Sequence, residues 1–130
     1  MPQVRVLTLA VLLLAVSMTP GCLLLAGAAL GAGIVHVTSE DEAMVLLDAD
    51  FEDALKTSRE VLAEKGLLEA RDDKAGLVEG SIGSSSVSIR VERGPDTGSK
   101  VTVESRKNGG VSPDVTTAQQ VASAILARSP

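Results

Sequence analysis

With 130 residues, a formal net charge of −5 and a single cysteine, the chain has room for one modest core and no intramolecular disulfide. Its acidic balance argues against electrostatic binding to nucleic acid or anionic lipid. Phe51 is the only aromatic residue, which leaves no stacking platform for bases or sugars.

The chain opens on Arg5, the only charge before Cys22, followed by the apolar run Val6–Val16. A positive residue ahead of about 7–15 apolar ones is the pattern of a secretory signal peptide. The run is too short to cross a hydrocarbon core, which takes about 20 helical residues. Pro20 and Gly21 then break the helix, leaving an extended segment that a signal peptidase can grip. Met18-Thr19-Pro20-Gly21-Cys22 has the form of a lipobox, in which small residues precede a cysteine whose sulfur receives a diacylglycerol. Cys22 is therefore the expected lipidation residue. An ordinary cleaved signal and a buried free thiol are the competing readings of the same residues.

Leu23–Val35 follows without a charge, rich in Gly and Ala. Gly27 and Gly31 make a GxxxG spacing that allows close helix packing in lipid, but a lipid-tolerant tether is the simpler reading. A failure of cleavage would instead leave Val6–Val35 in the membrane as one kinked segment or a tight hairpin. The expected organisation is a signal peptide at 1–21, a lipidated cysteine and apolar tether at 22–42, and a small domain at 43–130. Removing residues 1–21 takes away one basic residue, Arg5, and leaves 11 basic against 17 acidic, a net charge of −6. Acyl chains, each contributing about 0.8 kcal/mol per buried CH₂, would then have to supply the attachment.

Thr38–Glu42 reads as a polar hinge and Ala43–Leu47 as a short strand stopped by Asp48. Asp50 is a natural N-cap, with Glu52 and Asp53 in the first turn where the helix dipole favours acid. The helix is expected over Phe51–Lys65, burying Phe51, Ala54, Leu55, Val61 and Leu62, with Gly66 closing it as the C′ residue. The period then changes to two. Strands are expected at Leu67–Arg71, Leu77–Ile82, Val87–Glu92 and Val101–Glu104, the last two alternating apolar and polar. In that hairpin Arg90 or Arg93 can meet Glu104 across the strands. Asp72–Gly76 and Gly94–Gly98 are turns by composition. A final helix starts near Asp114, its apolar stripe being Val115, Ala118, Val121, Ala122, Ile125 and Leu126. The order β-α-β-β-β-β-α implies an α+β fold, an antiparallel sheet of four to five strands with two helices on one face.

Gly21-Cys22 with the Leu/Ala/Gly run, Asp50-Phe51 opening a helix that ends Glu64-Lys65-Gly66-Leu67, and the strand pair around Val87-Ser88-Ile89 and Val101-Thr102-Val103 carry a resemblance over nearly the whole mature chain. The order resembles the uncharacterised small bacterial lipoproteins grouped as domain of unknown function 3568. The resemblance implies an envelope location and this fold, and no activity.

Catalytic motifs are missing from the sequence. His36 is the only histidine and falls in the expected tether, which removes a catalytic triad or a His-bearing metal site from the domain. Asp48, Asp50, Glu52 and Asp53 lack the glycine and distal glutamate of an EF-hand loop, and helix capping accounts for them. Gly80–Ser86 lacks the Gly-Lys-Ser/Thr ending of a phosphate loop and leads into a strand, so a flexible hairpin connection is expected. No cofactor and no metal is expected.

The expected function is a lipid-anchored bacterial envelope protein that is not an enzyme and acts by contact, either with another envelope protein or as an accessory, structural subunit. Leu23, next to Cys22, is no acidic retention signal, which favours the periplasmic face of the outer membrane. A small-ligand binder with a pocket between helices and sheet is the alternative. Tight packing of Leu55, Leu62, Ile89, Val121 and Ile125 would count against it.

Overall fold

The computed structural model describes residues 34–94 and 97–129. The signal segment, Cys22 and most of the apolar tether lie outside the described residues, as do Pro95 and Asp96. In chain order the elements are β1 (Val35–Val37), β2 (Glu42–Leu47), α1 (Phe51–Lys65), β3 (Leu67–Asp72), β4 (Leu77–Ile82), β5 (Ser85–Arg93), β6 (Ser99–Lys107), β7 (Ser112–Pro113) and α2 (Val115–Arg128). A short 3₁₀ turn at Asn108–Gly110 precedes β7.

The seven strands form one antiparallel sheet in the order β1-β2-β6-β5-β4-β3, with β7 alongside the end of β6. Ala43, Val45 and Leu47 of β2 are buried on one face, with Val101 and Val103 of β6, Val87, Ile89 and Val91 of β5, and Val78 of β4. Both helices cover that face. The α+β architecture with two helices on one side of the sheet is thus the one its patterning implies.

The first helix starts where its chemistry dictates. The Asp50 carboxylate accepts a 2.9 Å hydrogen bond from the Asp53 amide, satisfying one of the free donors of the first turn. Its apolar stripe is the expected one, and Leu55 and Leu62 are fully buried. Gly66 stops the helix, but not by the left-handed conformation. Its backbone is extended (φ −162°), and glycine is required because a Cβ there would collide with the carbonyl oxygen of Ser81.

Other differences concern the sheet. β1 lies inside the segment expected to be tether, and Val35, His36 and Val37 pair with Val45, Met44 and Ala43. The connection expected over Gly80–Ser86 reduces to Gly83 and Ser84, because Ile82 already pairs with Ser85. Gly83 has φ +59°, as the first position of a tight hairpin turn requires. The hairpin register also separates Arg90 and Arg93 from Glu104. Glu104 faces Ser88, Arg90 faces Thr102, and Arg93 faces Ser99 while its guanidinium sits 4.7 Å from the centre of the Phe51 ring.

Candidate contact face

The alternation that buries one face of the sheet brings the intervening residues together on the other. That face consists of Glu42, Met44 and Leu46 from β2, and Lys100, Thr102, Glu104 and Arg106 from β6. From β5 it receives Ser86, Ser88, Arg90 and Glu92, and from β4 Leu77, Glu79 and Ser81. Directly opposed residues of antiparallel strands lie on the same side, so the register orders these side chains into rows. One row holds Arg106, Ser86 and Ser81; the next holds Glu42, Glu104, Ser88 and Glu79. The third holds His36, Met44, Thr102, Arg90 and Leu77, and the last Leu46, Lys100 and Glu92. Charge therefore alternates along the strands, with an acidic row between rows carrying Arg106 and Arg90.

Glu42 opposite Glu104 is a like-charge pair, an arrangement that destabilises a sheet unless neighbours offset it. Here they do. Thr38 Oγ1 donates to Glu42 Oε1 at 2.6 Å, and Arg106 Nε lies 3.8 Å from Glu104 Oε1. The same guanidinium donates to Asp41 Oδ2 at 2.8 Å and, through Nη1, to the Gly110 carbonyl at 3.0 Å. The hydrogen bond from Ser39 and that from Arg106 hold the Asp41 carboxyl below its ordinary range, and Asp41 in turn raises Arg106. Lys100 Nζ pairs with Glu92 Oε2 at 3.2 Å. Between these pairs a shallow trough of about 310 Å³ is lined by Glu42, Ser88, Arg90, Lys100, Thr102 and Glu104. Its donors and acceptors suit a polar or charged group laid across the strands.

On the covered side the two helices and the sheet share one apolar core. Leu55 and Leu62 of α1, Ile89 of β5, and Val121 and Ile125 of α2 are all fully buried in one core. A polar cluster closes one end of that core. Asp114, the N-cap of α2, is 4% exposed and accepts from Ser85 Oγ at 2.5 Å, Thr117 Oγ1 at 2.6 Å and the Thr117 amide at 3.3 Å. Lys107 Nζ stands 3.7 Å away. Burial alone would raise the Asp114 carboxyl, but the hydrogen bonds from Ser85 and Thr117, aided by the Lys107 charge, outweigh it and lower it. Nearby, Ser105 Oγ is buried without a partner.

The expected site residue, Cys22, lies outside the described residues; of the four acidic residues expected to serve the helix start, Asp50 caps α1 and Glu52 and Asp53 stand in its first turn, while Asp48 makes no capping bond. His36, expected in the tether, stands on β1 beside Met44. Among the described residues no group of three His, Cys, Asp or Glu side chains is placed to hold a metal ion. No helix among them is long and apolar enough to cross a membrane. The polar trough is not legible in the sequence, because its residues come from three strands that only register brings together. No protein-family model matches the chain, and no curated protein is similar to it.

Proposed function

We propose that this protein is a lipid-anchored, non-enzymatic component of the bacterial envelope that works by contact, with the uncovered face of its sheet as the contact surface. The observation that carries the reading is the asymmetry of the sheet. One face is sealed by two helices over a continuous apolar core, while the other leaves rows of Ser, Thr, Glu, Arg and Lys side chains open. Three of the carboxylates on the open face are engaged by neighbours, Glu92 by Lys100, Glu104 by Arg106 and Glu42 by Thr38, which suits recognition better than acid–base chemistry. Attachment is proposed through Cys22, from the Gly21-Cys22 lipobox behind Arg5 and its apolar run. The resemblance to the uncharacterised bacterial lipoproteins supports the same location, and Leu23 supports the outer membrane's periplasmic face.

A photo-crosslinking residue placed at Ser88, in the middle of the open face, tests the contact role in the native host. It should yield a discrete protein adduct, and the same group at Lys56, on the solvent side of α1, should not. Equal labelling from both positions, or none from Ser88, would contradict the reading. The second reading, a small-ligand binder, is favoured by the trough. Burial of Leu55, Leu62, Ile89, Val121 and Ile125 in one core counts against a site between helices and sheet, and the trough offers Ser88, Arg90 and Thr102 instead. At about 310 Å³ the trough is at the small end of ligand sites, and it is polar where such sites are mostly apolar.

A further inference from the structure

We infer that the sheet edge built from β1 and β2 rests on the lipid surface to which the chain is tethered, through Ile34, Val37 and Leu46. The inference rests on the anchored reading above and adds an orientation to it.

Three observations converge on this edge. Large apolar side chains left exposed among the described residues are Ile34 (53%), Val37 (49%), Leu46 (52%), Leu67 and Val111. Three of those five belong to the β1–β2 pair and the residue that leads into it, whereas the remainder of the open face is mostly polar or charged, with Met44 and Leu77 half-buried. Continuing the pairing of Val35 with Val45 by one residue sets Ile34 opposite Leu46, with Met44 in the adjoining row. Val37, opposite the buried Ala43, extends from the other side of the same strand. The edge thus carries exposed apolar side chains on both sides of the sheet, with the exposed His36 beside them on the open side. Single exposed apolar side chains are ordinary, and the gathering of three of them at one edge is what marks this one.

The chain length outside the described residues decides the occupant. Ile34 is the twelfth residue after Cys22, and Leu23–Ile34 contains no charge. Fully extended, that segment reaches about 40 Å, and any more compact form brings the rim nearer. An apolar rim within that reach of the acyl chains, continuous in sequence with an uncharged apolar run, is placed to meet lipid. The chain's net charge of −5 adds that the contact is made by apolar side chains and not by attraction to anionic headgroups. With this edge on the membrane, β3 at the far edge points away from it, and the polar face stands free beside it.

The chain has no tryptophan, so one introduced at Leu46 reports on its surroundings alone. The full acylated protein carrying Leu46→Trp is placed in phosphatidylcholine vesicles with and without brominated acyl chains. Leu67→Trp, on the opposite edge of the sheet, serves as the reference. The expected result is blue-shifted emission at position 46, quenched severalfold more by brominated lipid than at position 67, and unchanged by added salt. Equal quenching at both positions in an acylated chain overturns the inference and leaves the anchor standing. A shielded but unquenched tryptophan in a chain that runs as a dimer overturns it as well, in favour of a second copy on this edge. An intact mass without acyl chains overturns the anchor and the inference together.

Discussion

Replacing Asp114 by alanine should be among the most damaging single changes outside the apolar core. The substitution removes the α2 cap made to the Thr117 amide, which is worth about 1 kcal/mol. It also leaves the buried Ser85 hydroxyl, bonded at 2.5 Å to Asp114 Oδ2, without a partner. An orphaned buried hydroxyl costs about 1–3 kcal/mol. The Lys107 pair adds little, because Lys107 is half exposed and screened. The sum is about 2–4 kcal/mol, which for a domain of this size lowers Tm by roughly 10–20 °C. Denaturant unfolding followed by far-UV circular dichroism measures it without need of tryptophan. The distinctive part is the double variant. Ser85→Ala combined with Asp114→Ala removes the orphan, so the pair should be about 1 kcal/mol more stable than Asp114→Ala alone. A single-variant cost below about 1 kcal/mol, or a double variant no more stable than the single, would refute the assignment of Asp114 as a buried acceptor.

The depressed Asp114 carboxyl gives a pH signature. Its contribution is complete above the unfolded-state pKa of about 3.9 and is lost as pH falls through the lower folded value, so the stability gap between wild type and Asp114→Ala should close in that range; a gap constant down to about pH 2 would contradict it. Ser105→Ala deletes a buried hydroxyl that has no partner and should be neutral or stabilising in the same denaturant assay. Gly80→Ala should cost about 1–3 kcal/mol, because a Cβ at Gly80 meets the Leu67 carbonyl oxygen across the β3–β4 pair. A wild-type denaturation midpoint for Gly80→Ala would show that the β3 edge yields without penalty.

How far the fold can be read from the chain depends on where each signal originates. The helix at Phe51–Lys65 is legible to the residue because its determinants are local: a capping aspartate, an acidic first turn and a 3.6-residue apolar stripe. The α2 start at Asp114 is legible for the same reason. β1 is not. Three residues at the end of an apolar run carry no period of their own, and Val35–Val37 become a strand only by pairing with β2. Ser85 and Ser86 read as loop by composition, yet they are strand because Asp114, far along the chain, satisfies the Ser85 hydroxyl inside the core. Gly66 and Gly80 face one another's neighbourhood across β3 and β4, a closeness of backbones that no local pattern announces. The contact face was half legible. Strict alternation in β5 and β6 shows that one side of the sheet is polar, but the acidic row flanked by Arg106 and Arg90 exists only in the register.

Everything proposed about location turns on Cys22, and the intact mass of the protein from the membrane fraction of its native host tests it most directly. The account predicts a mass equal to residues 22–130 plus acyl chains, and its loss when Cys22→Ser is expressed in place of the wild type. An unmodified full-length mass in the membrane fraction would contradict the lipid anchor, and the apolar N-terminus would then have to hold the protein in the bilayer by itself.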